Sequence, residues 1–315
     1  MAFGFDVALS VSALSYCMLG VTVGTFIGVL PGLGPLATIG LLLPISFHLP
    51  PMEGIIMLAG IYYGSMYGGS TVSILLNLPG TAASVIVCLD GHAMAKQGRA
   101  GIALVMTTLS SFAGACIAIV IVSTFAPALA HFALRFGSPE YFSLMVMGLI
   151  AAAVLVQGSL LKGLGMVVLG LLMGNIGQDI VSGYPRFVFG RMELLDGISF
   201  VVVVVGLFGL AEVINNLSLG KKRQSFTQPL GWRELIPSRD DLRRSLMPTL
   251  RGTGLGGILG ILPGAGPAIS SFAAYAVEKR ISKHPERFGK GAIEGLTAPE
   301  GANNAAAQTS FIPTL

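Results

Sequence analysis

The sequence predicts an all-α polytopic membrane protein with inverted structural repeats, whose helices are broken, or form re-entrant hairpins, at two Leu-Pro-Gly-x-Gly-Pro motifs. Hydrophobic residues make up 53% of its 315 residues and charged residues 11%, with a mean hydropathy of +0.79, whereas about 25% of a soluble domain is charged. The apolar runs approach the ~20 residues that cross a bilayer. Runs such as residues 201–210 lack the alternation of barrel strands, so we expect helices.

The two motifs belong to a long-range repeat. Residues 20–35 (GVTVGTFIGVLPGLGP) and 252–267 (GTGLGGILGILPGAGP) both fit G-x3-G-x3-G-x-L-P-G-x-G-P at an offset of 232, with eight identical positions. The glycines at four-residue spacing favour close helix packing. Proline removes a backbone donor and glycine adopts dihedrals that other residues avoid, so Pro-Gly-x-Gly-Pro interrupts a helix. A simple kink is the alternative, but a single proline would be enough for a kink.

The apolar segments along the chain predict a series of helices. Residues 7–47 are interrupted only by the first motif and by Pro44. Further helices are predicted at 53–78, 102–131, 141–157, 163–177 and 198–217, with loops or turns at 91–99, 135–139, Lys162 and 178–197. The predicted division is a first transmembrane repeat (1–219), a basic cytoplasmic loop (220–251) and an incomplete second repeat (252–315).

Charge bias predicts the orientation of the segments. Residues 221–251 contain eight basic and three acidic side chains, and loops rich in Lys and Arg face the cytoplasm. Successive predicted spans cross the membrane in alternate directions. Counting them back from residues 221–251 places residues 178–197 outside and the stretch with Lys96 and Arg99 inside. Five predicted spans separate the two motifs, so the second copy should be inverted relative to the first. Inverted repeats are typical of secondary transporters.

The second motif is predicted to dip into the membrane and return. Its arms, residues 252–262 and 267–277, contain eleven residues each, which is about 16 Å of helix or half a bilayer. Both flanks are basic, and a re-entrant hairpin explains this better than a span does. The first motif has no basic flank. A hairpin from the opposite face and a full span upstream of the break both fit it.

The breaks are the candidate site, because freed backbone groups at membrane depth need protein, ions or water as partners. Half-helix N-termini would hold anionic groups, while carbonyls, hydroxyls and amides would hold a cation. The hydroxyls that follow the breaks either ligate a cation or cap a helix. The predicted substrate- and cation-binding residues are Pro31, Gly32, Gly34, Thr38, Asn77, Gly80, Thr81, Pro263, Gly264, Gly266, Ser270, Asn303 and Asn304.

Other chemistries have weaker support. Cys17, Cys88 and Cys116 are scattered without CxxC spacing, which favours packing roles. Residues 252–257 fit G-x-G-x-x-G, but no strand precedes them, so a nucleotide site is not expected. The four histidines lack ligand spacing. We expect no cofactor and no metal beyond a coupling cation, and no Ser/His, His–carboxylate or metal spacing indicates an enzyme.

Long motifs carry a resemblance to a known family. LPGLGPLATIGLLLP, YYGSMYGGSTVSILLNLPGTAASV with DGHAMAKQGRAGIAL, and LPGAGPAISSFAAYAVEKR with GAIEGLTAPEGANNAAAQTSFIPTL resemble the large membrane subunit of the tripartite tricarboxylate transporters, the TctA family. The resemblance implies a multi-pass permease of the bacterial inner membrane that imports tricarboxylates or related carboxylates, coupled to Na⁺ or H⁺. It also implies two partners, a periplasmic solute-binding protein (TctC-like) and a small membrane subunit (TctB-like).

Two expectations remain beside the resemblance. Members of that family continue beyond this length, and residues 311–315 lie inside an apolar run, so we expect a C-terminally truncated member. The alternative function is a channel, or another membrane protein that needs no solute-binding protein. Ionic current without dependence on a binding protein would indicate that alternative.

Overall fold

The computed structural model of the chain describes residues 8–30, 34–133, 137–154, 160–179, 182–199, 202–203, 205–210, 214, 231–261 and 266–311. The chain divides into two compact units. The first unit comprises Met1–Leu109, Phe208–Ser245 and Glu286–Leu296, and the second comprises Ser110–Leu207, Leu246–Pro285 and Thr297–Leu315.

Nearly all of the described elements are helical, so the all-α part of the fold prediction is confirmed for this part of the chain. One short hairpin of two antiparallel strands is the exception. In chain order the elements are α1 (Val11–Gly28), α2 (Pro35–Ser46), α3 (Pro51–Leu76), α4 (Val85–Met94), a π-helical turn (Ala95–Arg99), α5 (Ala100–Ala133), α6 (Ser138–Val154), α7 (Leu160–Gly174), β1 (Gly177–Gln178), β2 (Pro185–Arg186), a 3-10 turn (Met192–Leu194), a π-helical turn (Val205–Leu210), a 3-10 turn (Trp232–Leu235), α8 (Arg239–Gly260), α9 (Gly266–Ile281), a 3-10 turn (Pro285–Arg287) and α10 (Ile293–Thr309).

Local chemistry sets the helix ends in the first unit. The Ala13 N–H donates to Ser10 Oγ, 3.2 Å away, at the start of α1, as an N-cap serine allows. Helices α2 and α3 both begin with proline, which has no N–H to leave unpaired in the first turn. Asn77 ends α3 in the left-handed conformation, at φ 58°, and asparagine enters this region more readily than most residues.

Helices α1 and α3 touch through backbone atoms. A Cβ built on Gly24 would lie 2.4 Å from the carbonyl oxygen of Ile61, so only glycine fits there. The same close approach recurs one helical turn before and one turn after Gly24. Residue numbers rise in the same direction on both helices from one contact to the next, so the two helices run parallel. The glycines of α1 meet α3 at Gly20–Met57, Gly24–Ile61 and Gly28–Ser65, and those of α3 meet α1 at Gly60–Cys17, Gly64–Val21 and Gly68–Thr25.

The second unit contains the same kind of contact between α8 and α10. A Cβ built on Gly256 would lie 2.1 Å from the carbonyl oxygen of Ala302. Gly252 and Gly260, one turn before and one turn after Gly256, make the same close approach, and these two helices also run parallel. The contacts are Gly252–Ala298, Gly256–Ala302 and Gly260–Ala306. The glycine spacing that favoured packing in the sequence is therefore used for packing in each unit.

The helix predictions agree with the structure to within three residues for α3, α5, α6 and α7. The predicted segment 198–217 lies partly outside the described residues. Among the described residues, two helical stretches are long and apolar enough to cross a membrane, Val11–Gly28 and Val85–Phe125, and two shorter helices are also apolar.

Several local predictions are wrong. The predicted loop at 91–99 is helical, since α4 continues through the π-helical turn into α5, with only Gly98 departing from helical geometry, at φ 79°. The predicted turn at Lys162 lies in the first turn of α7, and α2 stays helical past Pro44. The arms of the second motif are longer than eleven residues, because α8 has 22 residues and α9 has 16. Helix propensity and packing of the surrounding residues keep these stretches helical, although they contain single charged residues or a proline.

Replacing Gly24 with alanine should separate α1 from α3. The added methyl group would lie 2.4 Å from Ile61 O, and such overpacking costs about 1–3 kcal/mol of unfolding free energy. Gly40→Ala is the matched control, because a Cβ at this helical glycine meets nothing within 4 Å. Thermal unfolding of the purified, detergent-solubilised variants measures the effect. Equal stability of the two variants would contradict the backbone contact.

Candidate functional site

In the first unit, the helix after the first break returns along α3. A Cβ built on Gly54 would lie 3.2 Å from the carbonyl oxygen of Ser46, so α2 ends beside the first turn of α3. Helix α2 has twelve residues, or about 18 Å at ~1.5 Å per residue. Its first residue, Pro35, therefore lies near the level of Ser65, where α1 also ends.

The second predicted break folds back to the same level. A Cβ built on Gly80 would lie 2.4 Å from Gly69 Cα and 2.9 Å from the carbonyl oxygen of Gly28. Residues 77–84 thus leave the end of α3, turn back along it by about two turns, and reach the last residue of α1. The structure brings together two segments that the sequence predicted separately, the first motif and the stretch from Asn77 to Thr81.

The returning loop is ordered by its own hydroxyl groups. The Thr81 N–H donates to Ser84 Oγ at 3.0 Å, and the Ser84 N–H donates to Thr81 Oγ1 at 3.2 Å. Helix α4 begins directly after this reciprocal pair. The first-turn N–H groups of a helix have no intrahelical acceptor and carry partial positive charge. Because α2 and α4 both begin beside this part of α3, their N-termini suit an anionic group.

A buried hydroxyl without a partner lies at this level of α3. Ser65 is fully buried, its carbonyl oxygen contacts Gly28, and its Oγ makes no hydrogen bond among the described residues. A buried polar atom without a partner is costly, and such atoms in native proteins need an explanation, such as a bound water or ion. Ser65 is not predictable from the sequence, because one serine in a Gly/Ser-rich helix forms no pattern.

The hydroxyls after the two motifs make the same bond in each unit. Thr38 Oγ1 donates to the Gly34 carbonyl at 3.1 Å, and Ser270 Oγ donates to the Gly266 carbonyl at 3.0 Å. An N-cap side chain accepts a hydrogen bond from a backbone N–H. Each of these hydroxyls instead donates to a carbonyl four residues earlier, so neither bond is the N-cap bond considered above. Gly266 itself has φ 42°, a left-handed conformation that glycine adopts without a Cβ clash.

In the second unit, an ion pair joins α8 to α9. Arg251 in α8 makes a bidentate ion pair with the buried carboxylate of Glu278 in α9, at 2.9 and 2.7 Å.

The amides of the second unit lie on α10. Ser271 Oγ contacts the Pro299 carbonyl at 3.4 Å, and Asn303 follows Pro299 by one turn. Asn303 is buried, and its Oδ1 accepts no hydrogen bond from the described part of the chain. Asn304 instead donates from Nδ2 to the Glu300 carbonyl at 3.0 Å. The predicted site residues Pro31, Gly32, Pro263 and Gly264 lie outside the described residues.

A cavity of about 240 Å³ in the second unit is lined by residues 174–179 and Arg186. It contains none of the predicted site residues. Within the described ranges, no three His, Cys, Asp or Glu side chains cluster as a protein metal site would require.

The model of the tripartite tricarboxylate transporter TctA family matches residues 14–315. The chain belongs to the TctA family. This confirms the resemblance that the motifs carried. The family and the long apolar helices together indicate a membrane protein.

Two relatives of the TctA-family chain are proteins of Agrobacterium vitis. One, named "Uncharacterized 52.8 kDa protein in TAR-I ttuC' 3'region", is 52% identical over 315 residues, which is 100% of this chain and 62% of the relative. The other, "Uncharacterized protein in TAR-II ttuC' 3'region", is 65% identical over 60 residues, or 19% of this chain and 25% of the relative. The chain thus spans less than two thirds of the length of either relative. No solved structure matches it.

Sequence reasoning missed a buried carboxylate that organises the first unit. Asp90 Oδ1 in α4 accepts hydrogen bonds from three backbone N–H groups, at 2.9, 2.8 and 2.7 Å. These belong to Gly289, Gly291 and Ala292, the residues just before α10. Gln97 adds a bond from Nε2 to the Lys290 carbonyl at 2.7 Å. The contacts join residues about 200 positions apart, and no local motif predicts such a pairing.

Two arginine–carboxylate pairs fix the start of α8 in the same unit. Arg99 bonds Asp241 at 2.5 Å, and Arg244 makes a bidentate bond with Glu294 at 2.8 and 3.0 Å. Burial raises the pKa of Asp241, but bonds from Ser238 and Arg99 outweigh burial, and the net pKa is below its ordinary value. The bonds to Glu294 raise the pKa of Arg244.

Replacing Asp241 with asparagine should lower the free energy of unfolding by about 2 kcal/mol at pH 7, because a buried charge-assisted bond is lost. The lowered pKa means that this stabilisation is present above the unfolded-state pKa of about 3.9 and is lost as the pH falls through the folded-state pKa. The difference from the parent should therefore shrink below about pH 3.9. Denaturant unfolding at pH 7 and near pH 3 measures it.

Asp240→Asn is the matched control for that measurement. Asp240 is next in sequence, its side chain is 72% exposed, and it lies 3.7 Å from Arg244. Exposed pairs of this kind contribute about 0–1 kcal/mol. An equal loss in the two variants, or a difference for Asp241→Asn that persists at pH 3, would contradict the assigned role.

Proposed function

We propose that this TctA-family chain forms the permease part of a secondary transporter that imports tricarboxylates or related carboxylates across the bacterial inner membrane. The observation that carries the proposal is the meeting of two helix breaks in the first unit. Gly28 at the end of α1 and Gly80 in the returning loop are in contact, and α2 and α4 begin beside them. Two helix N-termini provide N–H donors and partial positive charge for a carboxylate without any cationic side chain.

The coupling cation is proposed to be Na⁺ or H⁺, and Na⁺ would use oxygen atoms beside the breaks, where each unit by itself offers candidate ligands. Ser65 Oγ in the first unit and Asn303 Oδ1 in the second are buried acceptors that no described group satisfies. Hard cations take hydroxyl, amide and carbonyl oxygens as ligands, and unwound carbonyls bind Na⁺ in transporters with broken helices. Gly34, Thr38, Gly266 and Ser270 place further carbonyl and hydroxyl oxygens beside the breaks.

The two motif copies are proposed to be inverted repeats with re-entrant hairpins. Support comes from the odd number of spans predicted between them, and from the same glycine contacts and the same hydroxyl–carbonyl bond in each unit. Alternating access would then open the site to one side of the membrane at a time. The proposed partners are a periplasmic solute-binding protein and a small membrane subunit, as the family description implies.

Ser65→Ala should raise the KM for the coupling cation or the carboxylate about tenfold, because a lost neutral contact of about 1.4 kcal/mol corresponds to that factor. The same substitution should leave the melting temperature unchanged or higher, since it removes a buried polar atom that lacks a partner. The measurement is uptake of labelled carboxylate into vesicles that contain the full-length protein and its partners. The control is Ser245→Ala, which removes another buried, unpartnered hydroxyl, next to the Arg244–Glu294 pair.

An unchanged KM in Ser65→Ala, or an equal change in Ser245→Ala, would contradict a ligand role for Ser65. Omitting the solute-binding protein from the same vesicles tests the wider proposal. Uptake should then fall to background, whereas uptake by the complete system should depend on a Na⁺ or H⁺ gradient. Ionic current that persists without the binding protein would instead support a channel.

A further inference from the structure

The loop after α7 exposes large apolar side chains. Residues 178–197 were predicted as a polar loop, and the stretch does contain the paired strands β1 and β2. Four bulky side chains within nine residues are nevertheless mostly exposed. They are Tyr184 at 72%, Phe187 at 57%, Phe189 at 80% and Met192 at 79%. Together they form what we call the aromatic tip, and a tip of this kind is unfavourable in water.

The backbone holds the aromatic tip in an uncommon conformation. Phe187 and Phe189 both have positive φ, 52° and 49°. Bulky residues rarely adopt this region, and they stay there only when the surrounding structure fixes them. A glycine with φ 72°, Gly190, follows directly. The two phenylalanine side chains are therefore presented outward by a fixed turn.

The polar groups at the base of the hairpin are satisfied internally. Asp179 forms an ion pair with Arg186 and accepts from the Ser182 N–H at 2.7 Å. Its own N–H donates to the Tyr184 carbonyl at 3.0 Å, and Gln178 Nε2 donates to the Gly183 carbonyl at 2.8 Å. A surface that contacts lipid must satisfy its polar groups in this way. Protein-binding surfaces instead offer about one hydrogen bond per 100–200 Å² to the partner.

The aromatic tip continues an apolar surface. Helix α7 ends at Gly174, three residues before β1, and it is apolar from Gly163 to its end. Large side chains along it are exposed within the second unit, as lipid-facing side chains are. Examples are Leu161, Leu164, Met166, Leu169 and Leu172. The hairpin follows this helix directly.

We propose that this hairpin is a membrane anchor whose aromatic tip, Tyr184, Phe187, Phe189 and Met192, inserts into the headgroup region of the bilayer. Aromatic residues at the ends of membrane helices favour this zone, where an apolar ring and a polar atom are both accommodated. Arg191, exposed beside the tip, suits lipid phosphate. The occupant is the lipid interface, and the inference does not depend on the transport function.

Tryptophan fluorescence tests the anchor directly. The chain contains one tryptophan, Trp232, so Trp232→Phe gives a silent background for Phe189→Trp. In vesicles, lipids brominated near the headgroup end of the acyl chain should quench this reporter at least twofold, and more strongly than lipids brominated near the chain terminus. Aqueous iodide should quench it weakly.

Two control positions calibrate the measurement. Leu171→Trp reports an exposed site on α7, and Lys283→Trp reports an exposed site in the polar loop after α9. Phe189→Trp replaces one exposed aromatic ring by another, so the fold should be kept. Iodide quenching as strong as for Lys283→Trp, with no effect of brominated lipid, would overturn the proposal. Shielding from iodide that occurs only when a soluble protein is added would also overturn it and would indicate a protein-binding tip.

Discussion

The arrangement of the chain depends on helices that touch backbone to backbone. In each unit three glycines at four-residue spacing bring one helix against the carbonyl oxygens of another, as at Gly24–Ile61 and Gly256–Ala302. No side chain separates such helices, so a small movement along or across the pair would produce a clash. Tight parallel pairing of this kind suits a membrane, where helix association relies on close packing rather than on the exclusion of water.

The helix breaks take their position from this pairing. Because α1 is fixed along α3, its end at Gly28 falls beside Ser65, and the loop that returns from Asn77 reaches the same point through Gly80. Irregular backbone at membrane depth survives where protein or a wet cavity surrounds it. At this cluster of helix ends, Ser65 Oγ is a buried atom without a hydrogen-bond partner among the described residues. In the second unit, Asn303 on α10 is the corresponding group with an unused acceptor.

The sequence predicted what local pattern encodes. Apolar runs located α3, α5, α6 and α7, and the four-residue glycine spacing located the close helix contacts in both units, because such spacing acts over a few residues. Contacts between distant residues could not be predicted from one sequence. The meeting of Gly28 with Gly80, the three N–H groups on Asp90, and the pairs of Arg99 with Asp241 and Arg244 with Glu294 all belong to this class. The aromatic tip was not predicted because its four residues follow no regular spacing, and the backbone turn exposes them.

The central claim is that a carboxylate binds where the two breaks of the first unit meet. Thr81 lies in the returning loop, so Thr81→Cys, with Cys17, Cys88 and Cys116 replaced by alanine, places a thiol reporter there. The rate of its alkylation by a small maleimide should fall severalfold when a transported carboxylate and Na⁺ are both present. The rate at a Leu161→Cys control, exposed on α7, should not change. Equal alkylation of Thr81→Cys with and without carboxylate, in vesicles that transport it, would contradict the claim.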